Sequence, residues 1–407
     1  MKMKKLLAGI LSATMVATMI PASMAFSGVS AAEDTGNGLV ASYDFTKGQT
    51  DVWSDATKGE GTAVTVDDNG VTTIYSATDP QSYSIENPLQ NKVTDGFTVV
   101  VETGRHGYNN PNTTLFSFAH SQNPYWVLDS DTYTGAGAFS VMSDYTSMHL
   151  NPWEGNTNGY WDYGLEGFSE DTGTRFVLTG NADGGIALYK DGEVVVSFAN
   201  TADILAAATG QGGVDYMRTV AYWVNTMEYF NLGTGTYWPS EAKNYTYVAF
   251  YNTEMTADEV EAEYIASQLD LEVVGMQKGT LGDDSDTTAI RFVANMDGAM
   301  TNQYNNGTIV NVGWAWEANT AFSGNYTPVA VSTVTNDSNL LVDTDDLAYT
   351  MVFASSDEND YYSIVPYVDI QVNGQTYTFC YNGRGASYQS SSSDMVYAPV
   401  NFVGAGA

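Results

Sequence analysis

The sequence predicts an all-β protein, and three observations lead to that prediction. Short runs rich in Val, Ile, Thr, Tyr and Phe recur along the chain with turn residues between them, as in sandwiches and barrels. Asp191-Gly192 and Asn373-Gly374 each separate two alternating runs, which is a strong local signal for a two-residue β-hairpin. Helical periodicity is scarce, and hydrophobic residues, at 43% of the chain, suffice to build packed cores.

The predicted strands fall into two groups. The first group covers residues 39–45, 70–76, 96–103, 113–119, 174–180, 185–198 and 245–251. The second covers residues 289–295, 308–318, 326–334, 348–355 and 361–382. Trp314 and Trp316 in the second group are two positions apart, so they share a strand face, for which burial is the favoured explanation. The groups predict a larger β-sandwich followed by a smaller one.

Two helical segments interrupt the first group. Residues 201–210 have Thr201 as the predicted N-cap. In the second segment, Thr256 and Glu259 form a predicted capping box. The apolar face of this second helix comprises Val260, Tyr264 and Ile265. We place the domain boundary just after it, at about Asp270.

The first 32 residues have the features of a secretory signal peptide. Lys2, Lys4 and Lys5 precede a short apolar stretch, and small residues follow it. That stretch is too short, and too interrupted by Ser and Thr, for the alternative of a membrane anchor. We therefore expect a signal peptide at 1–32, a first domain at 33–270 and a second at 271–407. The expected location is extracellular or loosely associated with a cell surface, without membrane insertion.

The charge of the chain limits its partners. The formal net charge is −34 at pH 7, and removal of the three leader lysines makes it −37. Such a surface repels nucleic acid and anionic lipid, and it repels a polyanionic substrate unless calcium intervenes. A neutral polysaccharide is the ligand class that fits best. The single cysteine, Cys380, excludes a disulfide within the chain and is interpreted as a small buried side chain.

Four segments of the first group occur in the order found in a known family. They are LVASYDF (39–45), YSIENPLQNKVTDGFTVVVET (83–103), TRFVLTGNADGGIALYKDGEVVVSF (174–198) and YVAFYNTEMTADEVEAEY (247–264). Together they resemble the LamG-type domain of the concanavalin A-like lectin/glucanase superfamily, over about residues 38–267. The resemblance implies a jelly-roll sandwich of two antiparallel sheets, with ligands on the concave sheet or its rim loops. The second group is similar to the accessory β-sandwich modules of secreted clostridial proteins, which implies no function.

The superfamily contains enzymes, but the residues disfavour catalysis. Glycosidases need two carboxylates flanking the scissile bond. The Glu-x-Asp-x-x-Glu strand motif of β-glucanases with this fold is absent. Glu259, Glu261 and Glu263 fall in the predicted helix and are interpreted as a solvated face. We therefore expect no enzyme, although carboxylates assembled from distant strands would leave no motif.

Aromatic residues in turn-rich segments are the strongest candidates for a ligand site. The stretch NPWEGNTNGYWDYG (151–164) places Trp and Tyr among Asn, Gly and Pro, which favours a loop over a strand. Sugar C–H faces stack on such rings, and sugar hydroxyls bond to neighbouring polar groups. The predicted carbohydrate-binding residues are Trp153, Tyr160, Trp161, Asp162, Tyr163, Trp126 and Trp238. Packing in a core is the alternative, and it is favoured for Trp126 and Trp223, whose segments are compatible with core strands.

The resemblance implies a structural calcium ion as the candidate cofactor. LamG-like sandwiches often hold one with carboxylates and backbone carbonyls. The acidic segments 129–131, 283–287, 343–346 and 357–360 are interpreted as loops that could hold the ion or are merely solvated. No loop matches the EF-hand pattern, so no metal ligand is named. His106, His120 and His149 are too scattered for a metal motif and are interpreted as loop or rim residues.

These observations favour a secreted, non-catalytic protein that binds a neutral polysaccharide through exposed aromatic residues. One alternative is a structural or adhesive surface protein whose partner is another cell-surface protein. A glycoside hydrolase or polysaccharide lyase with an unrecognised active site is a less favoured alternative. No separate catalytic domain is expected in the chain, which favours the first two hypotheses over an enzyme.

Overall fold

A computed structural model confirms the all-β prediction. It describes residues 38–45, 65–67, 70–74, 83–103, 112–120, 138–144, 147–151, 159–162, 173–200, 202–203, 219–232, 242–269, 271–281, 284–300, 306–318, 327–331, 334, 345–355, 361–380 and 386–389. The predicted signal peptide lies outside these residues. Within them, no helix has both the length and the apolar character that a membrane-spanning segment requires.

The chain divides into two units, and the division falls inside a helix. One unit ends at Val260 and the other begins at Glu261. Both residues belong to α2 (Ala257–Ser267), whereas the sequence places the boundary after this helix. Val260 belongs to a core cluster of the first unit, while Ala262 and Ala266 belong to the core of the second.

The first unit contains two antiparallel sheets. The eight-stranded sheet is formed by β1 (Leu39–Asp44), β2 (Thr65–Asp67), β3 (Gly70–Ile74), β5 (Gly96–Thr103), β10 (Thr174–Asn181), β11 (Gly184–Lys190), β12 (Glu193–Asn200) and β14 (Ala242–Tyr251). Its order is β12-β11-β10-β5-β14-β3-β2, with β1 also paired to β14. The six-stranded sheet is formed by β4 (Tyr83–Glu86), β6 (Asn112–Ala119), β7 (Ala138–Asp144), β8 (Ser147–Asn151), β9 (Gly159–Asp162) and β13 (Tyr229–Leu232), in the order β4-β13-β6-β7-β8-β9.

One hydrophobic core joins the two sheets. Alternate residues of β5, such as Phe97 and Val99, meet Phe116 and Phe118 of β6 in this core. Gly180 lies directly opposite Phe97 on β10, and a Cβ at Gly180 would come within 2.3 Å of the Phe97 ring. The ring therefore fills the space that a side chain at position 180 would occupy. The two-sheet sandwich predicted for the first domain is confirmed.

Both predicted hairpin turns are present. Asp191 and Gly192, between β11 and β12, have φ angles of 50° and 82°. Asn373 and Gly374 have φ angles of 50° and 83°. Positive φ at both central positions is the requirement of a type I′ turn, whose twist matches that of the flanking strands.

The second unit is a smaller pair of sheets. A three-stranded sheet is formed by β15 (Glu272–Leu281), β16 (Asp284–Met296) and β19 (Leu347–Ser355). A five-stranded sheet is formed by β17 (Ile309–Glu317), β18 (Thr327–Ala330), β20 (Tyr361–Val372), β21 (Gln375–Cys380) and β22 (Ala386–Gln389), and a short 3₁₀ turn spans Gly298–Met300. Trp314 is fully buried against Tyr349, and Trp316 packs on the same core. The shared buried face predicted for the two tryptophans is therefore confirmed.

The segment around Trp223 is a helix, so its interpretation as a strand is wrong. α1 spans Val220–Thr226, and the Thr219 hydroxyl caps it by accepting a hydrogen bond of 3.1 Å from the Tyr222 N–H. Val220, Trp223 and Val224 are buried, at the i, i+3, i+4 spacing of a helix face. The sequence favoured burial of Trp223 in a core over a role in ligand binding, and its burial is confirmed. The cap and the face together override the β-propensity of these residues.

The capping box of α2 is confirmed, but the solvated acidic face is not. The Thr256 N–H donates to Glu259 Oε2 at 2.7 Å, and the Glu259 N–H donates to Thr256 Oγ1 at 3.3 Å. Glu261 is exposed, whereas Glu263 is only 5% exposed. The Glu259 side chain is hydrogen-bonded at the start of the helix, and Glu263 is buried. Of the three glutamates predicted to form a solvated face, only Glu261 therefore fits the prediction. Of the earlier helical segment, the structure describes Ala202 and Asp203, which are helical.

Two predicted loops are partly strand. The stretch 151–164 contains the last residue of β8, Asn151, and all of β9, so the loop prediction is wrong for Asn151 and Gly159–Asp162. Tyr and Trp favour strands, and an edge strand needs only one neighbour, so the flanking turn residues did not prevent pairing. The acidic segment 283–287 enters β16 at Asp284, where pairing with β15 extends the strand beyond the apolar run.

Candidate functional site

The register of the six-stranded sheet separates an apolar face from a polar one. One cross-strand row of positions contains Leu232, Phe116, Val141, Met148 and Trp161. Leu232, Phe116 and Val141 are in the core, so this row belongs to the inner face. The neighbouring positions form a row across all six strands, which we call the polar row: Ser84, Asn231, Ser117, Ser140, His149 and Tyr160. Because strand residues alternate between faces, the polar row belongs to the opposite face.

Three positions of the polar row are fully buried. Ser84, Ser117 and Asn231 each have an exposure of 0%. The Ser84 hydroxyl donates to Asn231 Oδ1 at 2.6 Å, which joins β4 to β13 through side chains. Buried polar groups of this kind are stable only when hydrogen-bonded, and such bonds restrict their geometry. This end of the polar row is therefore a fixed arrangement of hydroxyl and amide groups.

The next row on the same face begins with accessible groups. Its positions are Glu86, Tyr229, Ala119, Ala138 and Asn151. Glu86 is exposed and Tyr229 is half-buried. Beside them, His120 Nδ1 lies 2.5 Å from Glu228 Oε2, and the two side chains are 29% and 49% exposed. The six strands of this sheet contain no Lys or Arg, so they offer an anionic ligand no permanently cationic side chain.

Strand β9 carries three of the predicted site residues, and its register separates them. Tyr160 pairs with His149 and belongs to the polar row, and Asp162 is two positions further along the same face. Trp161 pairs with Met148, in the row that contains the core residues Val141 and Phe116. Tyr160 and Asp162 therefore occupy the face of the polar row, whereas Trp161 occupies a position on the core face.

The remaining predicted site residues are not placed. Trp126, Trp153, Tyr163 and Trp238 lie outside the described residues, as does His106. Their assignment to carbohydrate binding stays a prediction from the sequence.

Sequence analysis missed the polar row. The local signal was present, because Ser117 stands between Phe116 and Phe118, and Asn231 stands between Phe230 and Leu232. Alternation of this kind indicates which strand positions face away from a core. It does not indicate which strands become neighbours, so the row could not be assembled from it.

No group of three or more His, Cys, Asp or Glu side chains among the described residues is placed to hold a metal ion. Two tyrosines of the other sheet, Tyr43 and Tyr189, have a raised pKa. Burial raises the pKa of Tyr43 to about 12, and burial followed by the nearby Glu254 carboxylate raises the pKa of Tyr189.

Comparison with known proteins gives only distant likenesses. No family model matches the chain, and no curated protein matches it. Domain 4 of AbnA, an extracellular arabinanase from Geobacillus stearothermophilus solved with arabinotriose, is 13% identical, with a TM-score of 0.34 over 55% of this chain and 96% of that one. The botulinum neurotoxin serotype D/C binding domain is 8% identical, with a TM-score of 0.39 over 85% and 94%. The binding domain of botulinum neurotoxin DC, solved with SialylT, is 11% identical, with a TM-score of 0.38 over 84% and 74%. Scores this low carry no argument about function.

Proposed function

We propose that the protein is a secreted, non-catalytic carbohydrate-binding protein that recognises a neutral polysaccharide on the polar face of its six-stranded sheet. The observation that carries this proposal is that this face has the exposed Glu86 and the half-buried Tyr229 beside the polar row, on six strands without Lys or Arg. Neutral sugars are recognised by such donors and acceptors, together with flat aromatic rings. The net charge of −34 also favours an uncharged ligand.

The spacing of two tyrosines supports an extended ligand. Tyr160 on β9 and Tyr229 on β13 occupy positions on the same face, four strands apart in the sheet. At about 4.8 Å per strand, their backbones are about 19 Å apart. An oligosaccharide segment is long enough to contact both positions, whereas a monosaccharide is not.

The buried end of the polar row supports the proposal in a second way. Ser84, Ser117 and Asn231 are held by packing and by the Ser84–Asn231 hydrogen bond, so they support the strands that carry Tyr229. Rigid support of this kind lowers the entropy cost of binding. We also include four aromatic residues in the proposed site on the basis of the sequence alone: Trp126, Trp153, Tyr163 and Trp238. A structural calcium ion remains part of the proposal without assigned ligands.

Retention by insoluble polysaccharides and affinity electrophoresis in soluble ones, each with and without a calcium chelator, test the proposal. We expect Tyr160→Ala to weaken binding about tenfold, equivalent to about 1.4 kcal/mol, because it removes a stacking ring. Tyr160→Phe keeps the ring and should bind within about twofold of wild type. Trp161→Ala should instead lower the melting temperature, since its position is on the core face.

Two outcomes would contradict the proposal. The first is that no neutral polysaccharide retains the wild-type protein. The second is release of reducing sugar from the same polysaccharides by the wild type, which would indicate a glycosidase. Equal binding by Tyr160→Ala and wild type would show that Tyr160 is not part of the site. It would not contradict the proposal that the ligand is a neutral polysaccharide.

A further inference from the structure

Two exposed Asn-Gly pairs of the second unit can react with their own backbone. When the peptide nitrogen of the glycine attacks the side-chain Cγ of the asparagine, a five-membered succinimide ring closes, and glycine hinders this attack least because it has no Cβ. The pairs lying wholly within the described residues are Asn306-Gly307 and Asn373-Gly374. All four residues are exposed, and a Cβ on either glycine would meet nothing within 4 Å. Access to water therefore does not distinguish the two pairs.

Closure of the ring requires a particular backbone conformation of the asparagine. In an L-residue, the Cα–Cβ bond and the following peptide C–N bond become eclipsed at a ψ of about −120°, which brings Cγ beside the nitrogen. Combined with a negative φ, this ψ lies outside the main allowed regions of the backbone map. Combined with a φ of about +60°, it is the first central position of a type II′ turn, which accepts asparagine. A positive φ therefore prepares an asparagine for ring closure.

Asn373 already has the required φ, whereas Asn306 does not. The φ angle of Asn373 is 50°, in the type I′ turn between β20 and β21. Rotation of one peptide group, between Asn373 and Gly374, converts a type I′ turn into a type II′ turn, and glycine accepts the accompanying change in the sign of its own φ. Asn306 has no positive φ, and its Oδ1 accepts a hydrogen bond of 3.0 Å from the Thr308 N–H. Both the backbone and the side chain of Asn306 must therefore move before its ring can close.

We propose that Asn373 is a site of spontaneous deamidation in the folded protein, and that the fold protects Asn306 from the same reaction. The Gly374 nitrogen gives up its proton to water or hydroxide and forms a bond to Asn373 Cγ. The Cγ–Nδ2 bond breaks, and the amide nitrogen takes up a proton and leaves as ammonia. Water then opens the succinimide at one of its two carbonyl carbons, which gives either an aspartate or an isoaspartate at this position. Water is the only co-reactant.

The two products differ in their effect on the hairpin. Asp191 and Gly192 have φ angles of 50° and 82° in the other type I′ turn, so an aspartate is compatible with this conformation. The aspartate product therefore keeps the hairpin and adds one negative charge. In the isoaspartate product, the Cβ carbon becomes part of the main chain, so a two-residue turn gains a backbone atom. Val372 and Gln375, the pair that closes the turn, then lose their register.

Peptide mapping by mass spectrometry tests the proposal on the full chain. The folded protein is incubated at ~pH 8 and ~37 °C, and each deamidation raises the mass of its peptide by about 1 Da. We expect deamidation at Asn373 to be at least about fivefold faster than at Asn306, because only Asn373 is held at positive φ. In ~8 M urea the ratio of the two rates should fall to about one, because both sites are then unfolded Asn-Gly dipeptides.

Two matched variants assign the reaction to its residue. Asn373→Gly keeps a dipeptide that suits a type I′ turn but has no side chain to react, so its peptide should show no mass increase. Asn306→Gly should leave the rate at Asn373 unchanged. A rate ratio below about fivefold in the folded protein, or a ratio that urea does not lower, would overturn the proposal. Neither measurement depends on glycan binding.

Discussion

Tyr43 shows how burial alone alters the acid–base behaviour of one residue. It is 6% exposed, and its ring meets the edge of Phe250 with centroids 6.4 Å apart. Removal from water disfavours the phenolate, which raises the pKa to about 12. In the unfolded chain the pKa returns to about 10. The residue therefore contributes stability that is present below pH 10 and is lost as pH rises towards 12.

We expect Tyr43→Phe to flatten the alkaline loss of stability. At ~pH 11 the free energy of unfolding of the wild type should fall by about 1.4 kcal/mol more than that of the variant. The reason is that Tyr43 releases its proton in the unfolded chain but mostly keeps it in the folded protein. Urea denaturation of both proteins at ~pH 8 and ~pH 11 measures the difference. The other tyrosines are common to both proteins and cancel. An equal alkaline loss in the two proteins would mean that Tyr43 titrates normally when folded.

At the scale of the element, helix α2 shows that a short sequence signal can specify a local structure. The backbone N–H groups of Thr256 and Glu259 each donate to a side-chain oxygen of the other residue, as the four-residue pattern predicts. The same sequence could not indicate the buried state of Glu263, because burial depends on what packs on the helix. β9 is a second example. Its residues are flanked by turn residues that favour a loop, but pairing with β8 places them in a strand.

We expect Thr256→Ala to destabilise the first unit by about 1 kcal/mol, because the Glu259 N–H loses its acceptor at the helix start. Glu259→Gln should cost less, since glutamine can also complete a capping box. Thermal unfolding followed by circular dichroism compares the two variants. If Thr256→Ala melts at the wild-type temperature, the cap contributes nothing to the folded state.

At the scale of the whole molecule, the dominant property is the acidic surface. A net charge of −34 produces a long-range field that acts on charged ligands and on other copies of the chain. It acts little on an uncharged sugar. The salt dependence of binding therefore distinguishes a neutral ligand from a charged one.

We expect the affinity for a neutral polysaccharide to change less than about twofold between ~20 and ~500 mM NaCl, because no ion pair forms with the ligand. Binding to a polyanionic polysaccharide should be undetectable at low salt without calcium, because both surfaces are negative. Affinity electrophoresis at the two salt concentrations measures both. A strong loss of neutral-glycan binding in high salt would point to a charged recognition group.

The amino-acid sequence alone was enough to predict the all-β class, both hairpin turns, the capped helix and the shared buried face of Trp314 and Trp316. Each of these depends on residues close together in the chain, where propensity, turn geometry and alternation act directly. Which strands lie side by side became known only from the three-dimensional fold. Ser84 and Asn231 are hydrogen-bonded neighbours although they are 147 positions apart, and no local pattern encodes that contact. The same pairing separated Tyr160 from Trp161, because register assigns adjacent residues to opposite faces.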